Sequence, residues 1–179
     1  MTISNYFGKI DDAYGFRSEN TFTIPYFEKN IKIKLGYEYD EDYEEIKTPP
    51  SKEELLEFEK TLKDFLSNID KIIIDIQKAT FNYYKENYSH YYEKPFEVLF
   101  PNSKVQKTNN ELHPPLNINT PEKHFEFIKE ILETIQVLEN KTIIIPIHYA
   151  LDEEHGIEIK IQDNKVLTVG GIAETTDRY

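Results

Sequence analysis

Apolar and polar positions along the chain repeat with two different periods, and the change from one to the other divides it into three stretches. In the first, Ile31, Ile33, Leu35, Tyr37 and Tyr39 alternate with Lys32, Lys34, Gly36 and Glu38. That two-residue repeat predicts a strand with one buried face. Phe22, Ile24 and Tyr26 predict a shorter strand before it, joined through Glu28, Lys29 and Asn30, and Tyr6 to Ile10 a first strand ending at Asp11, Asp12 and Gly15. Together they form a small antiparallel meander.

The middle stretch carries the helical period. Pro49 and Pro50 stop the preceding element, and Ser51 followed by Glu54 is a capping box, in which each side chain satisfies a free backbone N–H at the helix start. Leu55, Phe58, Leu62, Phe65 and Leu66 share one face, and the series runs on through Ile69, Ile72, Ile73, Ile76, Ala79, Tyr83 and Tyr84. Ser67, Asn68 and Asp70 favour caps over helix interiors, which predicts a break there and a second helix to about Tyr91. Prolines and asparagines between Lys94 and Thr120 predict an irregular connection with one short element around Phe96 to Phe100. Thr120 then caps a third helix, with Pro121 in its first position and a stripe of Phe125, Ile128, Ile131, Leu132, Ile135 and Leu138 that ends near Asn140.

The last stretch returns to strands: the apolar run Ile143 to Tyr149, the alternation of Ile157, Ile159 and Ile161, and Lys165 to Val169 after a turn at Asp163 and Asn164. Pro146 has no N–H to give a ladder, so its strand needs an exposed edge or a bulge there. The order of elements predicts a single α+β domain over 1–179, a mainly antiparallel sheet from N- and C-terminal strands with about three helices packed on one face.

Composition narrows the classes of function. With 179 residues, 39% of them hydrophobic and periodically placed, the chain is long enough for one sizeable core. No apolar run approaches the roughly 20 residues of a membrane span, and the opening residues lack the pattern of a secretory signal, so a cytoplasmic protein with no membrane partner is expected. There is no cysteine, which removes disulfides, thiolate metal sites and thiol nucleophiles. A net charge of -12 repels phosphate backbones, which argues against nucleic acid and for a basic protein as charged partner, although surplus acidity also serves plain solubility. The acid is concentrated: Glu38, Asp40, Glu41, Asp42, Glu44 and Glu45 come with no lysine among them, with Tyr39 and Tyr43 interleaved.

A second cluster, Asp152, Glu153, Glu154, His155 and Gly156, falls between two predicted strands. Asp152, Glu154 and His155 are oxygen and imidazole donors of the kind that bind metals, but adjacent residues do not easily turn toward one ion, and the paired-histidine HExxH spacing is absent. The same residues also read as an acidic turn in which Gly156 supplies a positive φ and Asp152 or Glu154 accepts backbone N–H bonds. Nucleophile-elbow, P-loop and dinucleotide-binding motifs are missing. Tyr88 and Tyr92, off the main apolar stripe of the second helix, are candidates for contact with a partner.

Leu151 to Ile159 followed by Val169, Gly170 and Gly171, with Phe7-Gly8-Lys9-Ile10 and Tyr14-Gly15-Phe16 near the start, resembles a family of uncharacterised bacterial proteins with a D-x-E-H-G element between two C-terminal strands. The match falls on Asp152, Glu154, His155 and Gly156, and Phe16 stands where that family usually has Trp. Members tend to be encoded near polymorphic toxins, so the resemblance implies an immunity-type or accessory role and supplies no catalytic residues.

Two readings follow. In the first, a non-enzymatic protein-binding domain meets a basic partner, such as a toxin domain, through Glu38, Tyr39, Asp40, Glu41, Asp42, Tyr43, Glu44 and Glu45. In the second, a metal-binding module or metal-dependent hydrolase uses Asp152, Glu154 and His155, with Asp11 or Asp12 joining from the N-terminal sheet. Only the second implies a cofactor, a divalent metal.

Overall fold

The computed structural model describes residues 2–11, 15–98 and 112–172. Eight strands alternate with a central helical stretch: β1 (Ile3–Ser4), β2 (Gly8–Asp11), β3 (Arg17–Thr23), β4 (Asn30–Leu35), α1 (Lys52–Asn87), α2 (Ser89–Tyr92), α3 (Pro121–Ile128), β5 (Thr134–Leu138), β6 (Thr142–Ile147), β7 (Ile157–Gln162) and β8 (Lys165–Gly170). The strands lie in one sheet in chain order, every neighbouring pair antiparallel except β4 and β5. Parallel neighbours need a long crossover, and here all three helices supply it. The fold is the expected α+β class.

Ile33, Leu35, Ile135, Val137, Ile143, Ile145, Ile147, Ile159 and Ile161 alternate onto one face of the sheet and join the buried stripe of α1 in one core. The opposite face carries Lys32, Lys34, Gln136, Lys160 and Gln162 at the intervening positions. The capping box at Ser51 is formed: its Oγ accepts from the Glu54 N–H at 3.2 Å, and a Glu54 carboxylate oxygen accepts from the Ser51 N–H at 2.7 Å. Thr120 caps α3 in the expected way, accepting from the Lys123 N–H.

Four expectations change. First, α1 is one helix of 36 residues with no break at Ser67 to Asp70. Ser67 and Asn68 donate back to the carbonyls of Lys63 and Asp64, and Asp70 accepts from the Tyr26 hydroxyl, so these polar groups stay on the exposed flank. Beneath them Phe65, Ile69, Ile72, Ile73 and Ile76 are buried without interruption. Each such side chain gains about 2 kcal/mol from burial, whereas a polar residue inside a helix costs at most about 0.7 kcal/mol, so the stripe decides.

Second, the predicted third helix stops at Ile128, and the rest of its span becomes β5. Ile135 and Val137 fit a strand as well as a helical stripe, and as a strand they cover the edge of β4, with Ile33 opposite Ile135 and Leu35 opposite Val137. Asn140 and Lys141, at φ +54° and +53°, make the β5–β6 hairpin turn rather than a helix end. Third, β3 begins at Arg17 and stops at Thr23, because Pro25 and the left-handed Tyr26 (φ +73°) turn the chain, so Ile24 and Tyr26 lie outside it. The strand predicted from Tyr6 to Ile10 is likewise shifted, to Gly8–Asp11, behind the two-residue β1. Fourth, β4 ends at Leu35, leaving Tyr37 and Tyr39 beyond the strand. Of the element expected at Phe96 to Phe100, Phe96 forms an isolated bridge with His113, and 99–100 lie outside the described residues.

Pro146 behaves as its chemistry requires. The regular β5–β6 ladder runs only from Leu138 opposite Thr142 to Gln136 opposite Ile144, and resumes as a bridge between Ile131 and Ile147. An unbroken ladder would set Ile147 opposite Glu133, so the chain before β5 bulges beside Pro146. The Pro146 carbonyl accepts from the Leu132 N–H on that same side. Pairing with β7 on the other side is uninterrupted through Glu158.

Candidate functional site

Strand direction separates the two acidic segments. The segment 38–45 leaves the C-terminal end of β4; the segment 149–156 leaves the C-terminal end of β6, which runs antiparallel to β5 and therefore to β4. They occupy opposite ends of the sheet, roughly 20 Å apart for six-residue strands. The C-terminal end of β2, with Asp11, lies at the same end as 38–45, since β2 and β4 are each antiparallel to β3. The backbone thus places Asp11 away from Asp152, contrary to the expected joint site, and Asp12 lies outside the described residues.

The Asp152 turn is closed upon itself. Asp152 Oδ1 accepts the His155 N–H at 3.0 Å and lies 3.0 Å from His155 Nδ1, which donates to it in the tautomer that carries its proton there. Oδ2 accepts the Tyr88 hydroxyl at 2.9 Å. The Gly156 N–H reaches the Asp152 carbonyl, and the Ile172 N–H reaches the His155 carbonyl. Gly156 holds φ +62°, and a Cβ there would stand 2.9 Å from the Ile147 carbonyl oxygen and 2.6 Å from Ile172 Cδ1. Only glycine fits both the conformation and the space.

Tyr88 and Tyr92, expected to face a partner, instead anchor this turn to the end of α1. Tyr92 is buried and donates to the Leu151 carbonyl at 2.6 Å, next to the Asp152 bond from Tyr88. Burial and the Asp152 carboxylate hold the Tyr88 hydroxyl well above its ordinary pKa, and burial raises that of Tyr92 to about 12, so both remain donors at neutral pH. Glu154 stays exposed, and among the described residues no three His, Asp or Glu side chains gather in a way that suits a metal ion. Asp152, His155 and Gly156 are thus bonded into the turn itself.

The other segment is a short hairpin built so that its side chains point out. Asp40 organises it: its Oδ1 accepts the N–H groups of Asp42 and Glu44 at 3.0 and 2.9 Å, while its own N–H reaches the Glu44 carbonyl. Tyr39 bridges to Glu45, the Ile46 N–H reaches the Glu38 carbonyl, and Tyr43 sits at φ +64° at the bend. At the base, Glu38 is committed to Lys34, 2.7 Å from its ammonium. Glu41, Asp42, Glu44 and Glu45 are exposed, as are Tyr39 at 44% and Tyr43 at 67%. A cavity of about 110 Å³ bounded by Gly15, Phe16, Glu38, Glu45, Ile46 and Lys47 opens at the foot of the hairpin. It is below the roughly 300 Å³ of a small-molecule pocket and has room for a single side chain.

A larger groove of about 810 Å³ follows the flank of α1 from Leu56 to Ser67 and reaches Lys141. Within it Lys63 pairs with Glu59, and Lys141 pairs with Asp163, which lies outside the lining. One further buried polar residue lies near the turn: His124, on α3, is completely buried with its Nε2 2.9 Å from the Tyr149 hydroxyl. Its place four residues before Ile128 and beside Phe125 puts it on the apolar stripe of α3, and that spacing is the signal by which it could be found.

No curated protein and no solved structure is detectably similar to the chain. A family model does match it, over residues 6–175, nearly the whole length. On that match the chain belongs to the family described as a domain of unknown function, DUF6985.

Proposed function

We propose that this chain is a non-enzymatic protein-binding domain that receives a basic partner on the hairpin 38–45. The observation that carries this reading is the division of labour within the hairpin. Asp40 and Glu38 are spent on holding it, while the exposed carboxylates of Glu41, Asp42, Glu44 and Glu45 and the rings of Tyr39 and Tyr43 project from a fixed backbone. On a chain with a net charge of -12, carboxylates so placed speed association with a cationic protein and disfavour acidic ones. Exposed tyrosines supply the contact area at low entropic cost on which affinity depends. The resemblance to proteins encoded beside polymorphic toxins makes an immunity-type role, neutralising a basic toxin domain, the specific form of the proposal.

The test is co-purification from the native host at low ionic strength with salt-stepped elution, run side by side on the natural chain and on a variant carrying Glu41→Gln, Asp42→Asn, Glu44→Gln and Glu45→Gln. A stoichiometric basic protein, released by salt and absent from the variant, is the expected result. The same protein retained equally by both chains would remove the hairpin from the interface.

A further inference from the structure

The junction between α3, the end of α1 and the Tyr149–Gly156 turn is built around one buried histidine. His124 projects from α3 against the stacked rings of Phe81 and Tyr84 of α1, with ring centroids at 6.3 and 5.1 Å, and meets Tyr149 edge-on at 5.6 Å. Nε2 shares a hydrogen bond with the Tyr149 hydroxyl; Nδ1 is buried and has no partner. Tyr149 in turn packs edge-on against Tyr88, whose hydroxyl holds Asp152. One uncharged ring therefore sits where the two elements that follow α1 and α2 are joined back to α1.

The surroundings cannot accommodate an imidazolium. The titratable groups facing His124 are Tyr84 from α1 and Tyr149 from the β6–β7 connection, both held as neutral phenols by burial. The carboxylates one layer away are already engaged: Glu93 accepts the Tyr84 hydroxyl and the N–H groups of Asn117 and Ile118, and Asp152 accepts Tyr88 and His155. Lys85 sits over the Phe81 ring at 5.0 Å, a cation on the wrong side of the balance. On α3 itself Glu122, Lys123 and Glu126 face outward. A second proton on the ring would thus put a positive charge among aromatic rings with no counter-charge and one N–H without an acceptor.

We propose that His124 is an acid-operated latch: its neutral ring fastens α3 and the Tyr149–Gly156 turn to the end of α1, and protonation opens that junction ahead of the central strands. The proton binds only where the ring has left its pocket, so acid stabilises the open form by mass action. With an ordinary histidine pKa near 6.5 in the open form, the opening equilibrium rises about thirtyfold from pH 7.5 to pH 5.

Native-state amide hydrogen exchange between pH 7.5 and 5, corrected for intrinsic rates, tests this on the natural chain and on His124→Phe, which keeps an aromatic ring and removes the titration. In the natural chain the amides of 121–128 and 149–156 are expected to exchange through an opening distinct from that of β5 to β7, and about thirtyfold more readily at pH 5. In His124→Phe the opening persists without its pH dependence. Exchange of these amides only together with the central strands, or the same acid response in the variant, would overturn the proposal. Should His124→Phe not fold, nitrogen chemical shifts of the His124 ring in the natural chain decide instead. A ring still neutral at pH 5 in the folded protein supports the latch, and one titrating near 6.5 within an intact fold refutes it.

Discussion

The two acidic segments at opposite ends of the sheet use the same side chain to opposite ends. In the Asp152 turn the carboxylate is consumed internally: it accepts a tyrosine hydroxyl, a backbone N–H and an imidazole N–H, and the turn is further closed by a glycine that no other residue can replace. In the hairpin 38–45 Asp40, with Glu38 at the base, does this holding work, and four neighbouring carboxylates are left pointing outward. Clustered acid in a sequence is therefore not one signal. What separates scaffold from surface is whether each oxygen already has a donor, and that is visible only once the chain is folded.

The sharpest break in the comparison is Gly156→Ala. The new Cβ meets a backbone oxygen as well as a side chain, and the left-handed φ is retained, so a loss of about 3 kcal/mol in unfolding free energy is expected in urea titrations. Asp152→Ala leaves the Tyr88 hydroxyl and the His155 N–H without acceptors and is expected to cost about 2 kcal/mol. A neutral effect would mean that the turn is not the scaffold its bonds imply.

Acid should reach the same end of the molecule first. Burial holds His124 down to about 3, against about 6.5 in the unfolded chain, so between these values the unfolded state binds the extra proton. Its contribution is fully present above pH 6.5 and declines as the pH falls toward 3, by about 2 kcal/mol at pH 5. Urea titrations of the natural chain and His124→Phe at pH 7.5 and 5 should show this difference only in the natural chain. Tyr88→Phe, which removes one hydroxyl from the Asp152 carboxylate, is a smaller perturbation, about 1 kcal/mol.

Much of the scaffold was legible in the sequence because period and capping chemistry are local. The capping box at Ser51, the Thr120-Pro121 helix start, the Asp163-Asn164 turn and the interruption at Pro146 are all set by residues adjacent to their effects. Local signals fail where distant partners decide. Ser67 and Asn68 are helix breakers on local grounds and were overruled by the core beneath α1, and Ile131 to Leu138 satisfied both periods until β4 required a neighbour. The candidate sites divide the same way. The charge of 38–45 indicates an exposed loop but not that it closes into a hairpin, and an acidic turn held by Asp152 and Gly156 is one of the readings the residues allow. Nothing in the spacing of Tyr88 and Tyr92 indicates that the 149–156 turn folds back onto them, and while the position of His124 on the α3 stripe marks a buried face, its bond to Tyr149 is a tertiary fact.

The smallest effect on stability belongs to the hairpin, and it is the most informative. With Glu41, Asp42, Glu44 and Glu45 neutralised together, the thermal unfolding transition should move little, since exposed carboxylates contribute within about 0.5 kcal/mol each, and the repulsion among them is relieved. Measured on that same variant and on the natural chain, the association rate with the co-purifying basic partner as a function of ionic strength tests the central claim most directly. A rate that falls steeply with salt for the natural chain and is slow and nearly flat for the variant, at unchanged thermal stability, is the expected result. Equal rates with equal salt dependence would contradict it and return the hairpin's carboxylates to the role of solubility alone.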